Sequence, residues 1–570
     1  MNSLKLLCFS ISIFLVSACN TRKPADLIIL GGKIYTVDEK QPVVEAVAVS
    51  GNTIEYAGSE TEARKYAGEN TQIINLEGKV MTPGFIEGHG HFTGIGYGEL
   101  NLDLMYAKNY DELVEQVKQA VSNAQPGQWI LGRGWHQDKW DTKPEVMVKG
   151  FQTHHDLSEV SPNNPVYLRH ASGHAGLANA KAMEIAGVNQ LSKEMIEDSS
   201  GEGGEVIRDA QGNPTGIFNE RAMGLIVKHI PDDDSLRKTQ AVELAIQACL
   251  RNGITSFHDA GASGEDIERF NTIKDAGKLG VRLYVMLTGW DRDLVHKWFK
   301  QGPVIDPEHF LTIRSVKLNC DGALGSRGAW LMEPYTDRPD FSGMATLPMD
   351  TVLSTSRLAL KAGFQVCSHA IGDRANHEIL NRYEMAFNEN PTKAKDHRFR
   401  IEHAQHLVPT DIPRFGKLGV IPAMQAIHMS SDRPWAIERL GEKRIKEGAY
   451  MWQSLLKSGA KIVNGTDAPV EPVNPIPSFY ASVTRRTLKG EPEGGYEPEE
   501  KMTRDQALRS YTLDAAYGAF QENLMGSIEK GKLADFTVFT QDIMEVSELD
   551  ILKTEVNMTI VGGKVAYTRE

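Results

Sequence analysis

The stretch Val80-Met81-Thr82-Pro83-Gly84-Phe85-Ile86-Glu87-Gly88-His89-Gly90-His91 decides the fold class, because an apolar run ends in two histidines one residue apart. In an extended strand, residues i and i+2 point to the same side. Both imidazoles can therefore reach one metal ion from the end of a single strand. Packing explains the pair poorly, because histidine is only an intermediate former of protein cores. Such a pair is weak evidence for a metal site by itself, so the prediction depends on which other ligands the chain supplies.

The length and composition predict a globular protein of two or three domains. The chain has 570 residues, which is too many for one compact core, and one domain can be a barrel of about 250 residues or more. Apolar residues make up 41% and charged residues 24%, and the formal net charge is -13. This acidic balance argues against a nucleic-acid partner, which requires a basic face.

The N-terminus has the pattern of a bacterial targeting segment. Lys5 precedes the apolar run from Leu6 to Val16, which is too short to span a bilayer as a mature helix. Small residues before Cys19 resemble a lipobox, in which the cysteine is lipidated and becomes the new N-terminus. We expect a signal peptide over residues 1–19, a tether over 20–24, and a lipid-anchored protein of the cell envelope facing the periplasm or the exterior. A plain signal peptide with an incidental cysteine is the alternative.

Three cysteines remain outside this segment, namely Cys249, Cys320 and Cys367. They are odd in number, widely spaced and embedded in apolar segments, which is not the pattern of a disulfide framework. We expect buried free thiols.

Both ends of the remaining chain have short β-like segments. Residues 25–82 contain Leu27 to Leu30 and Lys33 to Val37 around a Gly-Gly turn, and residues 526–570 contain Asp535 to Phe539 and Val556 to Val561. Runs of β-branched residues bounded by glycines are typical of hairpins. We expect the two ends to pair into one small β-sandwich, with a larger domain over residues 83–525 inserted between them.

The central part alternates strands and helices, which favours an α/β fold, a (β/α)8 TIM barrel. The eight strand candidates are short apolar runs typical of a buried parallel sheet: Phe85 to His91, Gly253 to Asp259, Val281 to Leu287, Ser315 to Cys320, Phe364 to His369, Phe399 to His403, Val420 to Gln425 and Lys461 to Gly465. The gap between the first two is too long for one helix. Residues from about 100 to 235 therefore predict an insertion over the barrel mouth.

Polar residues stand at the ends of these strands, where barrels of this class carry their functional groups. They are His89 and His91 on strand one, Lys317 on strand four, His369 on strand five, His403 on strand six, and Asp467 after strand eight. Each residue taken singly also fits a structural role. Six of them in this order on one rim are improbable by chance.

This set resembles the amidohydrolase superfamily of metal-dependent hydrolases, and within it amidohydrolase family 3, which includes N-substituted formamide deformylase-like proteins. The matching segments cover nearly all of the chain after residue 24: Pro83 to His91, Ser368 to Asp373, Ile401 to Gln405, Gly465 to Pro469, and Gly526 to Phe536. The motifs are specific for the family and uninformative about the substrate.

The resemblance implies two divalent metals per chain. His89, His91 and Asp467 would bind one metal, His369 and His403 the second, and Lys317 would bridge them as a lysine carbamate. Nitrogen and oxygen ligands without thiolate suit zinc, with manganese, iron or cobalt as alternatives. A hydroxide held by the metals would attack a carbonyl, and Asp467 would pass its proton to the leaving nitrogen. A one-metal site is the alternative.

Seven further residues are candidates for substrate contact, with a pocket role only slightly favoured over a structural one. They are His258 and Asp259 at the end of strand two, Asp321 and Arg327 in the Gly-rich loop after strand four, and Arg133, Trp135 and His174 in the insertion.

The leading functional hypothesis is hydrolysis of a non-peptide C–N bond in a small amide, formamide or lactam-like compound. A non-catalytic sensor or regulatory lipoprotein on the same fold is a second hypothesis, and a metal-dependent esterase is a third. A homodimer is one assembly left open by the sequence.

The lipobox generates the first testable prediction. Cys19→Ser removes the thiol that carries the lipid, so we expect the variant to be released from membranes or to stall in processing. Membrane fractionation and mass spectrometry of the mature N-terminus in a bacterial host measure this. An N-terminus without acyl groups at Cys19 would contradict the prediction.

Overall fold

The computed structural model describes residues 23–188, 204–232 and 235–569. The expected signal peptide, Cys19 and most of the expected tether lie outside the described residues, so lipidation stays a prediction. Within the described ranges, no helix is long and apolar enough to cross a membrane.

The N-terminal part forms five strands and one short helix, Glu60–Ala63. The strands are β1 Leu27–Tyr35, β2 Val43–Ser50, β3 Thr53–Gly58, β4 Gln72–Asn75 and β5 Val80–Pro83. β1 pairs with β2 in antiparallel register and with β4 and β5 in parallel register. The chain then passes directly from β5 into the barrel.

The first barrel strand is β6, Phe85–Gly90, and a helix, Phe92–Leu100, follows it. The expected insertion comes next. Its strands are β7 Leu102–Asp103, β8 Ile130–Trp135, β9 Met147–Val148, β10 Phe151–Gln152, β11 Val166–His170, β12 Ala175–Ala178, β13 Gly204–Arg208 and β14 Pro214–Glu220. Six of them form one sheet in the order β13-β14-β12-β11-β8-β7. Its α-helices are Tyr110–Ser122, His155–Val160, Ala180–Ile185 and Gly224–Val227.

The barrel continues with β15 Ile254–Ala262, β16 Arg282–Thr288, β17 Val304–Ile305, β18 Leu311–Asn319, β19 Gln365–Ala370, β20 Arg400–His403, β21 Ile421–Met424 and β22 Val463–Asn464. Eight strands lie parallel in the order β22-β21-β20-β19-β18-β16-β15-β6, and β17 pairs with β18 off this path. The predicted α/β barrel is confirmed, and each predicted strand matches one observed strand.

Helices surround these strands: Ser235–Arg251, Gly264–Asp275, Arg292–Gln301, Met349–Ala362, Asp373–Glu389, Ile412–Leu418, Ala426–Gly448, Trp452–Lys457, Pro475–Thr484, Arg504–Ser510 and Leu513–Gly518. Local signals fix their ends. Ser263 and Asp266 form a capping box at one start, and Gly363 adopts φ 79 where Met349–Ala362 ends, a conformation that glycine tolerates without a Cβ clash.

The C-terminal part returns to the first sheet through β23 Phe536–Phe539, a short helix Glu548–Ile551, β24 Val556–Val561 and β25 Lys564–Thr568. β23 pairs antiparallel with β5, which joins the two chain ends in one sheet ordered β25-β24-β23-β5-β1-β2-β3. Apolar side chains of strands from both ends share one cluster, including Ile29, Val47, Phe536 and Ile560. The small β domain expected from both ends is therefore present, and its strands form one continuous sheet.

A buried ion pair joins this β domain to the barrel. Arg282, at the start of β16, donates from Nε to Asp535 Oδ2 at 2.7 Å and from Nη2 to Oδ1 at 3.1 Å. The two side chains are 1% and 4% exposed. The backbone N–H of Gly562 also donates to Asp535, at 2.7 Å. Because Arg282 begins its strand, the β domain contacts the end of the barrel opposite the predicted site.

Asp535→Ala should destabilise this junction strongly, because it leaves the Arg282 guanidinium buried without its counter-charge. Removing one partner of a buried ion pair costs about 3–5 kcal/mol. The matched control is Asp340→Ala, since Asp340 is 80% exposed and pairs with Arg338 only at 3.9 Å. We expect the control to change stability by no more than about 0.5 kcal/mol. Urea and thermal unfolding measure both, and equal midpoints for the two variants would contradict the assignment.

Candidate metal centre

The seam between the first and eighth barrel strands positions three of the predicted ligands. Gly88 allows close approach, because a Cβ there would lie 2.3 Å from the backbone oxygen of Asn464. The N–H of Asp467 donates to His89 O at 2.8 Å, and the N–H of His91 donates to Ala468 O at 2.6 Å. These backbone bonds bring His89, His91 and Asp467 to one edge of the barrel.

A buried glutamate on the first strand holds the loop that carries Asp467. Glu87 accepts the Thr466 N–H at 2.6 Å and the Thr466 hydroxyl at 3.0 Å. Burial raises the pKa of Glu87 to about 8, although the hydrogen bonds from Thr466 and His89 oppose the shift. Asp467 itself adopts φ 59, a left-handed conformation that is uncommon for a residue with a side chain. This loop geometry aims its carboxylate at both histidines.

The Asp467 carboxylate lies between the two histidines of the first strand. Its Oδ1 is 3.3 Å from His91 Nε2 and 3.5 Å from His89 Nε2. Burial acts to raise its pKa, but the interactions with His91, His89 and His403 outweigh burial and hold that pKa well below its usual range. The three ligand atoms lie within 4.8 Å of one another. An ionised carboxylate beside two imidazoles is a donor set that suits a divalent cation.

The tautomer of His89 is fixed from beneath by Glu402. His89 Nδ1 makes a short contact with Glu402 Oε2, and Arg400 donates to both oxygens of Glu402 at 2.7 and 2.8 Å. Burial acts to raise the pKa of Glu402, but Arg400 and His89 keep it well below its usual range. A carboxylate accepts the proton on Nδ1, so Nε2 presents a lone pair to the cavity. Burial, together with Lys317, lowers the pKa of His89 to about 4, which favours the neutral ligand form.

The other predicted ligands lie next to this group. The rings of His403 and His89 have centroids 4.9 Å apart, and those of His369 and His403 are 4.4 Å apart. His403 Nδ1 contacts Gln425 Oε1 at 2.7 Å, which directs its Nε2 away from the amide. Lys317 is 6% exposed, and its Nζ lies 3.1 Å from His89 Nε2. Burial lowers the pKa of Lys317. All six predicted residues therefore meet at the carboxyl end of the barrel.

His428, a residue not identified from the sequence, joins the same centre. It lies in the first turn of the helix Ala426–Gly448, and its ligand atom lies within 4.8 Å of those of His403 and Asp467, all three residues being buried. Its Nε2 is buried without a hydrogen-bond partner in the structure. His369 Nε2 is likewise buried without a hydrogen-bond partner, although Asp321 Oδ1 lies 3.3 Å away. His428 is therefore available, beside His403, as a ligand for the second of the two predicted metals.

The residues present fit a divalent metal. Buried ligand atoms at the centre, including His428 Nε2, His369 Nε2 and Asp467 Oδ1, have no hydrogen-bond partner, which is costly unless a cation or solvent occupies the space between them. Burial lowers the pKa of His403 well below its usual range, so its ring is neutral as a ligand must be. Imidazole and carboxylate donors without thiolate fit zinc, manganese or cobalt.

A cavity opens above this centre, between the barrel and the insertion. The barrel side contributes His369, His403, His428 and Asp467, and the insertion contributes His136, Lys139, His170 and His174. Arg133 holds the insertion in place by donating to the backbone oxygens of Pro469 and Ala171. The insertion therefore covers the barrel mouth, as its length predicts.

Of the seven residues predicted to contact substrate, His174 lines this cavity and the other six make contacts that hold the fold. Asp259 accepts the Phe92 N–H at the start of a helix, and His258 Nδ1 lies 3.0 Å from Arg400. Asp321 accepts three backbone N–H groups, from Trp330, Ile371 and Gly372. Arg327 pairs with Asp337, and the indole of buried Trp135 donates to Leu168 O. Arg133 anchors the insertion as described above. Polar groups at strand ends and in the neighbouring loops can hold the fold as well as bind substrate, so a substrate contact by these six residues stays a prediction.

Comparison with known proteins agrees with this geometry. Residues 72–567 match the sequence model of the amidohydrolase family. The chain is 33% identical over 555 residues to Protein LONG AFTER FAR-RED 3 of Arabidopsis thaliana, covering 95% of this chain and 92% of that protein. It is 28% identical over 556 residues to the N-substituted formamide deformylase of Arthrobacter pascens, covering 95% and 98%. A metal-dependent hydrolase from Pyrococcus horikoshii superposes with a TM-score of 0.72 at 26% identity, covering 92% of this chain and 99% of that one.

The cluster around His428 generates a prediction about metal retention. His428→Ala should lower the affinity for zinc or cobalt by about 10- to 100-fold or more, because a buried imidazole ligand is lost. The matched control is His406→Ala, since His406 is equally buried, has two unpartnered ring nitrogens and faces a different cavity. Metal analysis after dialysis and titration calorimetry measure the difference. Equal metal affinity in the two variants would remove His428 from the centre.

Proposed function

The chain belongs to the amidohydrolase family, and on this premise we propose that it hydrolyses a non-peptide C–N bond of a small amide, formamide or lactam-like molecule with the help of divalent metal. The observation that carries the proposal is the complete donor set at the barrel mouth: four predicted histidines, Lys317 and Asp467 lie together at the carboxyl ends of the strands. A regulatory protein that had lost catalysis would have no need to retain this set.

His89, His91, Asp467 and their neighbours would hold the metal, which would supply Lewis acidity and lower the pKa of water. Proton transfer, orientation of the ligands and exclusion of water are the roles of the chain's own residues. Asp467, which lines the cavity, takes a proton from the attacking water and returns it to the leaving nitrogen. Glu402 and Gln425 keep His89 and His403 in the tautomers that leave Nε2 available. The insertion restricts the access of bulk water to the scissile bond.

In this proposal Lys317 would serve as a carboxylate ligand for the metal. As an unmodified amine, its Nζ occupies the hydrogen-bonding position of His89 Nε2, and an ammonium there would repel a cation. Burial favours the neutral amine, whose lone pair can attack carbon dioxide; an N–C bond forms, one proton leaves, and the lysine becomes a carbamate. The product is an anionic oxygen ligand on a long stem.

The experiment is a substrate screen with metal-loaded protein, in which N-formyl amines, N-acyl amines, lactams and the corresponding esters are compared by product release. We expect amine release that chelation abolishes and added metal restores. Lys317→Ala should reduce kcat by at least about 10²-fold, because metal activation dominates the rate. A short carboxylic acid added to this variant should restore part of the activity. Lys361→Ala, on the exposed face of a helix, is the control.

Three outcomes would contradict the proposal. Turnover that persists in protein shown to be free of metal would exclude the metal mechanism. Cleavage of esters without cleavage of amides would support the esterase alternative. Tight metal binding without turnover of any compound class would support the regulatory alternative.

A further inference from the structure

One face of the helix Ala426–Gly448 leads from the metal centre along the cavity wall. His428, Asp432 and Trp435 stand at positions i, i+4 and i+7, which share one side of an α-helix, and all three line the cavity. His428 belongs to the metal centre. With a rise of 1.5 Å per residue, Asp432 lies about 6 Å further along the helix axis. Asp432 therefore lines the cavity about one helical turn away from the metal centre.

The Asp432 carboxylate is weakly satisfied by the protein. Its hydrogen bonds are long: 3.3 Å from Ser431 Oγ, 3.5 Å from Gln405 Nε2 and 3.5 Å from Tyr450 Oη. It forms no ion pair with any residue that the structure describes. Burial raises the pKa of Asp432, although His428 and Lys139 oppose the shift. A half-buried carboxylate with such long contacts gains most from a donor that the protein does not supply.

The lysine of the cavity lining already pairs with another carboxylate. Lys139 is the positively charged residue of the cavity lining, and its Nζ pairs with Glu471 Oε1 at 3.0 Å. Lys139 interacts with Glu471 and Asp432 together, so one lysine faces more than one carboxylate on this wall. An anionic group on a substrate would be repelled from this wall, and a cationic group would be attracted.

A further acceptor belongs to a residue of the insertion that lines the same cavity. Gln137 is 6% exposed and lines the cavity, and its Oε1 is buried without a hydrogen-bond partner. Its Nε2 donates to Asp138 at 3.4 Å, which leaves the oxygen as the free end. Like the Asp432 carboxylate, this oxygen can accept a hydrogen bond from an N–H donor on a ligand. Apolar and aromatic side chains, including Trp435 and Leu324, supply the remaining wall.

We propose that Asp432, supported by Gln137, is the specificity-determining residue of a subsite for a protonated amine or another N–H-rich group, carried about one helical turn from the scissile C–N bond of a small, non-anionic amide. The inference rests on the proposed function in placing the scissile bond at the metal centre. It selects among amides: an amide with an ammonium group at this distance is favoured, and an acylated amino acid with a free carboxylate is disfavoured.

The test uses three probes that differ in one substituent. They are 4-(aminomethyl)benzamide, 4-(hydroxymethyl)benzamide and 4-carbamoylbenzenesulfonate, which place a cation, a neutral group or an anion across a phenyl ring from the amide. Binding to the metal-loaded full chain is measured by calorimetry, and hydrolysis is measured separately. We expect the cationic probe to bind about tenfold more tightly than the neutral probe, which corresponds to about 1.4 kcal/mol. The anionic probe should bind least tightly.

Two variants locate the effect. Asp432→Asn keeps the shape of the side chain and removes its charge, so the preference for the cationic probe should fall to about twofold or less, within the range of a neutral hydrogen bond. Asp340→Asn removes the same charge outside the cavity lining, since Asp340 is 80% exposed and lies 3.9 Å from Arg338, so the preference should persist.

The outcomes separate this inference from the proposed function. If the preference appears in binding while no amide is hydrolysed, the subsite stands and the proposed activity fails. If amides are hydrolysed but the cationic probe has no advantage, or keeps its advantage in Asp432→Asn, the subsite is refuted. The absence of measurable binding of the cationic probe at its solubility limit would also refute it.

Discussion

The closure of the barrel between its first and eighth strands is the constraint on which the site depends. Glu87 accepts both the N–H and the hydroxyl of Thr466, and backbone bonds join His91 to Ala468 and Asp467 to His89. Side chains larger than hydrogen are excluded here, since a Cβ at Gly465 would lie 2.3 Å from Glu87 Oε1. Glu87 and Thr466 are 379 positions apart in the sequence. The tight seam between them brings the H-x-H pair and the Asp467 carboxylate within reach of one cation.

The buried charges beneath the centre are arranged to support the ligands. Arg400 neutralises Glu402, Glu402 orients His89, and each of these side chains is at most 1% exposed. Burying such charges is unfavourable unless every partner is present, so the array also resists rearrangement when one ligand moves. The ion pair of Arg282 and Asp535 attaches the β domain to the opposite end of the barrel. Of the β domain and the insertion, only the insertion therefore lines the cavity at the mouth, among the residues that the structure describes. Stability and chemistry are thereby divided between the two ends of the barrel.

Much of this organisation could be predicted from the sequence. Short apolar runs identified all eight barrel strands because a buried parallel strand is apolar on both faces, and glycine-bounded β-branched runs identified the paired chain ends. The ligands were identifiable because each stands at a strand end. His428 and Asp432 were not, since they lie within a helix where polar residues usually face solvent, and only the packing of that helix turns them inward. The helix-like spacing of residues 428, 432 and 435 is a signal that could have found them. Asp259 and Asp321 show the converse, because carboxylates at strand ends can serve backbone N–H groups of neighbouring loops.

The most direct test of the account is X-ray absorption spectroscopy at the metal edge of zinc-loaded protein. The account predicts a first shell of nitrogen and oxygen atoms at about 2.0–2.1 Å with imidazole scattering and no sulfur, since the buried cysteines take no part. A bridged pair would add metal–metal scattering at about 3.5–4 Å. A sulfur shell at about 2.3 Å, or a shell without imidazole scattering, would contradict the central claim that histidines at the barrel mouth hold the metal.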